Sequence, residues 1–271
     1  MNLTSPSQVK SWCIENGFHP NKVLGQNFLV DRNALEAIVD AGLDGVAGDA
    51  PVVLEIGPGL GVLTEELLRR GCHVTAIEKD HLLASRLADA LGHPEGLTVV
   101  EGDALAVLAH GGVEAAAFDA MISNLPYQAG TRILLDLVSL RAPAAMTILV
   151  QTEVAERLAA KEGSKTRGLA GVWAQLDYDV RIVRKVPATC FWPRPQIGSS
   201  VVRLDRHERN AGLTDEERRL FHSLTKRAFS QRRKQLGRVL KDMVQSTARA
   251  EELANEDWIA LTKGLIGNED T

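Results

Sequence analysis

Apolar and polar positions change period several times along these 271 residues. Short apolar runs, several rich in β-branched residues, recur near 52–56, 73–77, 97–100, 118–122 and 145–151. Runs of that length and composition predict buried strands. Stretches with helical spacing lie between them, near 62–70, 80–91 and 130–140; in the first, Leu63, Leu67 and Leu68 recur at helical intervals. Asp31 suits an N-cap and predicts an earlier helix that runs to about Ala41. Strands alternating with helices argue for a parallel, doubly wound α/β sheet whose ligand sits at the strand C-termini. Two more strands are predicted at 172–186 and 197–205, as an antiparallel pair at one edge. Between them Phe191-Trp192-Pro193-Arg194-Pro195 reads as a proline-stiffened loop.

Beyond Arg206 the pattern turns helical throughout. Thr214-Asp215-Glu216-Glu217 has the form of a capping box. Helices are predicted at 215–229, 231–243, 247–253 and 255–266, with Asn268 to Thr271 frayed. The stretch 206–212 is polar and contains Gly, as linkers do. It divides the chain into residues 1–206 and a small all-helical domain at 207–271.

Candidate chemistry gathers at the strand ends. The strand Val52 to Ile56 runs into Gly57-Pro58-Gly59-Leu60-Gly61 and then a helix. Glycines let the backbone turn sharply and approach a ligand, and a helix N-terminus supplies free N–H groups. The next strand ends at Glu78, 21 positions after Gly57, where a carboxylate suits two ribose hydroxyls. The third leads to Asp103, which could accept from an adenine amino group. The loop reads G-x-G-x-G and lacks the third glycine of the dinucleotide pattern G-x-G-x-x-G. The set therefore suits one nucleoside with a short tail; a plain βα turn is the alternative for any one member.

A fourth strand leads to Asn124-Leu125-Pro126-Tyr127. An adenine amine is a poor nucleophile because its lone pair is delocalised into the ring. An Asn oxygen and a neighbouring backbone carbonyl can accept its two hydrogens and stabilise the charge that develops on attack. Pro126 removes a competing donor, and Tyr127 offers a face for a base to stack on. The same four residues also suit an ordinary strand-to-loop turn. Phe191 could form the other face of a base clamp with Tyr127, or anchor a buried loop.

Bulk properties limit the alternatives. No stretch approaches the ~20 apolar residues of a membrane helix, and Met1 to Asn21 has no secretory pattern. Three scattered cysteines suggest reduced thiols and a cytoplasmic setting. The seven His show no metal-ligand spacing, so no metal is implied. Net charge is −4, yet Arg218 to Lys241 holds nine basic residues and no acid. Such a run is the footprint that phosphate attracts, and the alternative is a solvated helix face that happens to be basic.

In this order the motifs resemble the ribosomal RNA small-subunit adenine N6,N6-dimethyltransferases, the KsgA/RsmA family. The likeness rests on Leu24-Gly25-Gln26-Asn27-Phe28-Leu29, Glu55-Ile56-Gly57-Pro58-Gly59, Glu78 and Gly102-Asp103-Ala104. It continues through Asn124 to Tyr127, Phe191 to Pro195, Ser199, Val201 to Leu204 and Phe229-Ser230-Gln231-Arg232-Arg233-Lys234. Departures include Arg132 in place of a common proline and Arg167 in place of a frequent Tyr. The resemblance implies a Rossmann-like class I methyltransferase domain over 1–206, with S-adenosyl-L-methionine as methyl donor, and a helical rRNA-binding domain over 207–271. Gln26, Asn27, Leu29, Gly57, Gly59, Glu78, Asp103 and Asn124 are then expected at the donor. Asn124, Leu125, Tyr127 and Phe191 are expected at the reacting base, and Arg232, Arg233 and Lys234 at RNA. The implied reaction dimethylates two adjacent adenosines in the loop of the 3′-terminal stem-loop of 16S rRNA, within a pre-small-subunit particle, by a monomer. The competing readings are a large-subunit rRNA adenine methyltransferase conferring antibiotic resistance, a non-catalytic nucleic-acid-binding relative, and a nicotinamide-dependent oxidoreductase.

Overall fold

The structure is a computed structural model that describes residues 1–21 and 24–267, so the expected fraying of Asn268 to Thr271 lies outside it. In chain order its elements begin with α1 (Pro6–Glu15), β1 (Phe28–Leu29), α2 (Arg32–Leu43), β2 (Val52–Ile56) and α3 (Val62–Arg69). Next come β3 (His73–Glu78), α4 (His81–Ala90), β4 (Leu97–Glu101), α5 (Ala104–Ala109), β5 (Ala120–Asn124), α6 (Gly130–Leu140) and β6 (Ala145–Gln151). Then follow α7 (Thr152–Leu158), α8 (Leu169–Asp177), β7 (Tyr178–Val186), β8 (Phe191–Trp192) and β9 (Ser199–Arg206). The last are α9 (Asp215–Ser230), α10 (Leu236–Val239) and α11 (Asn255–Gly267). No helix among the described residues is long and apolar enough to cross a membrane.

Seven strands form one sheet in the order β4-β3-β2-β5-β6-β9-β7. β2 runs parallel to β3 and β5, β3 to β4, and β5 to β6, while β9 is antiparallel to β6. Strand order reverses between β2 and β5, which opens a crevice at their C-terminal ends. Burial dictates the strand composition: Val53, Leu54, Ala120, Ile122, Ile148 and Leu149 are wholly enclosed. Caps set the helix starts. Asp31 accepts from Ala34 N–H (2.8 Å), Asp80 from Leu82 and Leu83 N–H, and Asp103 from Leu105 N–H.

The chain divides into two compact units. One holds Met1–Ala155 and Arg181–Asp205; the other holds Glu156–Val180 and the chain from Arg206 onward. One division lies between Asp205 and Arg206, and Glu156–Val180 groups with the helical part and not with residues 1–155. Part of that segment also corrects an expectation. Residues 172–177 are helical, not extended, because Val172 and Leu176 sit one turn apart and pack in a core with Phe221, Leu224 and Trp258. The extended period begins only at Tyr178.

Two predicted C-terminal helices are also largely absent. Between 231 and 253 there is one short helix, α10, with 3₁₀ turns at Lys241–Met243 and Ala250–Glu252. The reason is a fold-back: Leu236 N–H donates to Ala248 O (2.8 Å) and Gly237 N–H to Ser246 O (2.9 Å). A Cβ at Gly237 would stand 3.0 Å from Ser246 O, so the close approach requires glycine. α9 matches its capping box: Glu217 N–H donates to the Thr214 hydroxyl, and the Glu217 carboxylate accepts from Thr214 N–H.

Candidate active site

Because β2, β3, β4 and β5 are parallel, their following residues meet at one edge of the sheet. One cavity there is lined by Gln26, Asn27, Leu29, Gly57, Gly59, Glu78, Asp103, Asn124, Leu125 and Tyr127. Gly57 (φ 71°) and Gly59 (φ 60°) hold left-handed conformations that turn β2 away from the sheet. A Cβ on Gly59 would reach 3.0 Å from the Phe28 ring. The turn therefore depends on glycine for its conformation, and at Gly59 a side chain would also crowd the Phe28 ring.

Glu78 is 6% exposed. Its Oε2 accepts from Gly59 N–H (3.0 Å) and its Oε1 from Asp80 N–H (2.9 Å). Two backbone donors fix the carboxylate, and each oxygen keeps acceptor capacity for a ligand. Burial raises its pKa, against those hydrogen bonds, which lower it. Asp103 accepts from Lys79 Nζ (2.8 Å) and caps α5; the lysine holds its pKa low. Among the described residues, the members of the lining that are charged at neutral pH are Glu78, Asp103 and Lys79, and there is no arginine. A pyrophosphate would meet carboxylates and one lysine already paired to an acid. A nucleoside carrying a cationic sulfonium tail meets complementary charge, so the donor set fits S-adenosylmethionine and not a dinucleotide.

Glu55 lies deeper and is fully enclosed. Burial pushes its pKa up to about 8, while Thr64, which donates to it at 2.7 Å, opposes the rise and Glu78 adds to it. The carboxyl is thus protonated at neutral pH. Since its folded pKa lies above the unfolded value, stability is fully present below about pH 4.5 and is lost as pH rises towards about 8. Glu55→Gln keeps the hydrogen bond from Thr64 and removes the titration. The variant should gain stability on the wild type between pH 5 and pH 8, read as unfolding midpoints; identical pH profiles would refute the assignment.

At the other end of the cavity the side-chain amide of Asn124 is oriented by its neighbours. Its Nδ2 donates to Asn27 O (3.3 Å), which leaves Oδ1 as the open acceptor. Asn27 Nδ2 in turn donates to Gly25 O (3.0 Å). Pro126 O is taken by Gly130 N–H (2.7 Å), so the carbonyl beside Asn124 that receives no hydrogen bond among the described residues is that of Leu125. The Tyr127 hydroxyl lies 2.9 Å from Ser199 Oγ, which fixes the ring against β9.

Not every expected residue faces the cavity. Gln26 lines it, but both ends of its amide brace the loop: Oε1 accepts from Asn21 N–H and Nε2 donates to Asp80. Phe191 is buried in the core and does not line the cavity. It pairs through its backbone with Leu29, and Trp192 pairs with Phe28, in a two-stranded antiparallel ribbon. Arg232 is half-buried; its guanidinium donates to Lys165 O and lies 3.5 Å from Glu251. Arg233 and Lys234 are exposed. The pattern reading missed Leu3 and Val9, which belong to the cavity wall. A Ser5-Pro6 start and the one-turn spacing of Val9 and Cys13 were the available signals for α1.

The fold and this strand-end cavity are those of a class I methyltransferase. Two solved structures share the fold: a dimethyladenosine transferase from Plasmodium falciparum (TM-score 0.76, 23% identity, 89% of this chain and 98% of that one) and the 23S rRNA methyltransferase ErmE (TM-score 0.68, 24% identity, 89% and 100%). The family model for ribosomal RNA adenine dimethylase matches residues 17–262, and the chain belongs to that family. Curated relatives named ribosomal RNA small subunit methyltransferase A include one from Mycobacterium tuberculosis, 38% identical, with 100% of this chain and 90% of the relative aligned. Another, from Deinococcus radiodurans, is 42% identical over 89% of this chain and 79% of the relative.

Proposed function

We propose that this chain transfers two methyl groups to N6 of each of two adjacent adenosines in the loop of the 3′-terminal stem-loop of 16S rRNA. The observation that carries this reading is the Asn124 amide, whose nitrogen donates to Asn27 O and leaves its oxygen an open acceptor, with the next residue's carbonyl, that of Leu125, also unbonded among the described residues. Those two oxygens accept the two hydrogens of an exocyclic amine and stabilise positive charge on its nitrogen. S-adenosylmethionine, when bound, supplies an electrophilic methyl on a cationic sulfur. Asn27, Leu29, Gly57, Gly59, Glu78 and Asp103 would hold it, Glu78 at the ribose hydroxyls and Asp103 at the adenine amine. The target base leaves its stack at a cost of a few kcal/mol, less in a loop than in a duplex. Stacking on Tyr127 returns ~1–3 kcal/mol. Phe191 serves the site through the ribbon with Leu29.

The setting is part of the same proposal: a cytoplasmic monomer acting on a pre-small-subunit particle. The names of the curated relatives support the small subunit as target. Mapping N6-dimethyladenosine in rRNA from cells with and without this chain tests it. Loss of the adjacent pair from 16S rRNA is expected. A modified adenosine lost only from large-subunit rRNA would support the resistance-type alternative, and no change would support a non-catalytic role.

The helical unit grips RNA phosphates in this reading, through Arg233 and Lys234. Neutralising both should weaken rRNA binding and reduce the salt slope by roughly one unit for each phosphate left unneutralised, with thermal stability unchanged. Arg232→Ala should lower stability as well, since it frees Glu251 and the Lys165 carbonyl. Salt titrations that run parallel for wild type and the Arg233/Lys234 variant would place the footprint elsewhere.

A further inference from the structure

Leu3 and Val9 both line the cavity while being 5% and 1% exposed. They belong to an apolar cluster with Phe28, Leu60 and Leu83 that is separate from the main core under α2. Leu60 directly follows Gly59, and Leu83 lies in the first turn of α4, five residues past Glu78. Through Phe28, whose ring would stand 3.0 Å from a Cβ on Gly59, the cluster adjoins the glycine turn that holds Glu78. On α1, Val9 and Cys13 are one turn apart and both buried, but only Val9 reaches the cavity.

We propose that the N-terminal segment is a functional wall of the donor site: Leu3 and Val9 form an apolar ceiling over the nucleoside of the bound donor. This rests on the reading of the cavity as a methyl-donor site. A purine face is apolar, and burying it against aliphatic carbon is favourable by roughly the area removed from water. The same ceiling keeps water from Glu78, so its hydrogen bonds to a ribose are made in an enclosed, low-dielectric setting where they are stronger. The segment is thus part of the binding site, although its sequence carries no motif for one.

Calorimetric titration with S-adenosylhomocysteine tests this without any turnover. The variants are Leu3→Ala, Val9→Ala and Cys13→Ala. The last removes a buried side chain of the same helix that does not face the ligand, and it reports the loosening of α1 alone. Leu3→Ala and Val9→Ala are each expected to weaken binding by about fivefold to tenfold, with Cys13→Ala within about twofold at a similar loss of thermal stability. Unchanged affinity in Leu3→Ala and Val9→Ala would overturn the proposal. So would losses that track melting temperature equally across all three variants, since α1 would then act only as a structural cap. If wild-type protein itself fails to bind S-adenosylhomocysteine, the donor reading of the whole cavity falls, and that failure is distinct from a failure of the ceiling.

Discussion

Asn124→Ala should lower methyl transfer by about 10²-fold or more. The variant loses the open Oδ1 acceptor and the Nδ2 donor that ties Asn124 to Asn27 O at 3.3 Å. Only the first loss concerns charge on the reacting nitrogen. Asn124→Asp separates the two, because it keeps an oxygen but turns a carboxylate towards the Asn27 carbonyl. The fold should survive both, since Asn124 ends β5 and is not fully buried. Single-turnover transfer to small-subunit particles, with donor affinity measured in parallel, is the appropriate assay. A donor affinity within a few-fold of wild type and a collapsed rate constant are expected. Near wild-type turnover would remove Asn124 from the chemistry.

The second large effect concerns stability. Arg218 belongs to the basic run, yet it is committed inside the helical unit. It makes two hydrogen bonds to the carboxylate of Asp177 (2.8 and 3.1 Å) and one to Asn210 O (2.7 Å). Asp177 is 3% exposed. Breaking such a buried pair by removing one partner costs about 3–5 kcal/mol. Arg218→Ala should therefore unfold the helical unit at markedly lower denaturant, while the salt slope of RNA binding below that transition stays as in wild type. A slope reduced by one unit with stability unmoved would make Arg218 a phosphate ligand after all.

That residue illustrates what the sequence could and could not convey. The alternation of strands and helices was legible because burial on both faces of a parallel sheet imposes continuous apolar runs, and Gly57, Glu78, Asp103 and Asn124 all lie at or just past the C-terminal ends of strands. The spacing of a motif along the chain encodes its place on the sheet edge. Charge carries no such positional code. Arg218, Arg232, Arg233 and Lys234 look alike in one dimension, and only the fold reveals that Arg218 serves Asp177 while Arg233 and Lys234 stay open. Short elements were also hidden. β1 and β8 have two residues each, too few for any period, and Phe191 was legible as important without its direction being so. The fold-back at Gly237 escaped because a helical apolar pattern and a packed loop place Leu236, Val239 and Leu240 on one side equally well.

The ribbon of β1 and β8 has a consequence for how the protein becomes competent as it is made. Leu29 pairs with Phe191, Val30 N–H donates to Cys190 O (2.8 Å), and Tyr127 is held by Ser199. The segment that shapes one end of the pocket is thus zipped to residues synthesised much later. Contacts so distant along the chain form late, because loop closure must come first. A nascent chain carrying every residue from Asn27 to Tyr127 would still have an unfinished pocket until the stretch through Ser199 had emerged. A chain that stopped before β9 would carry the motifs without the partners that hold Leu29 and Tyr127 in place.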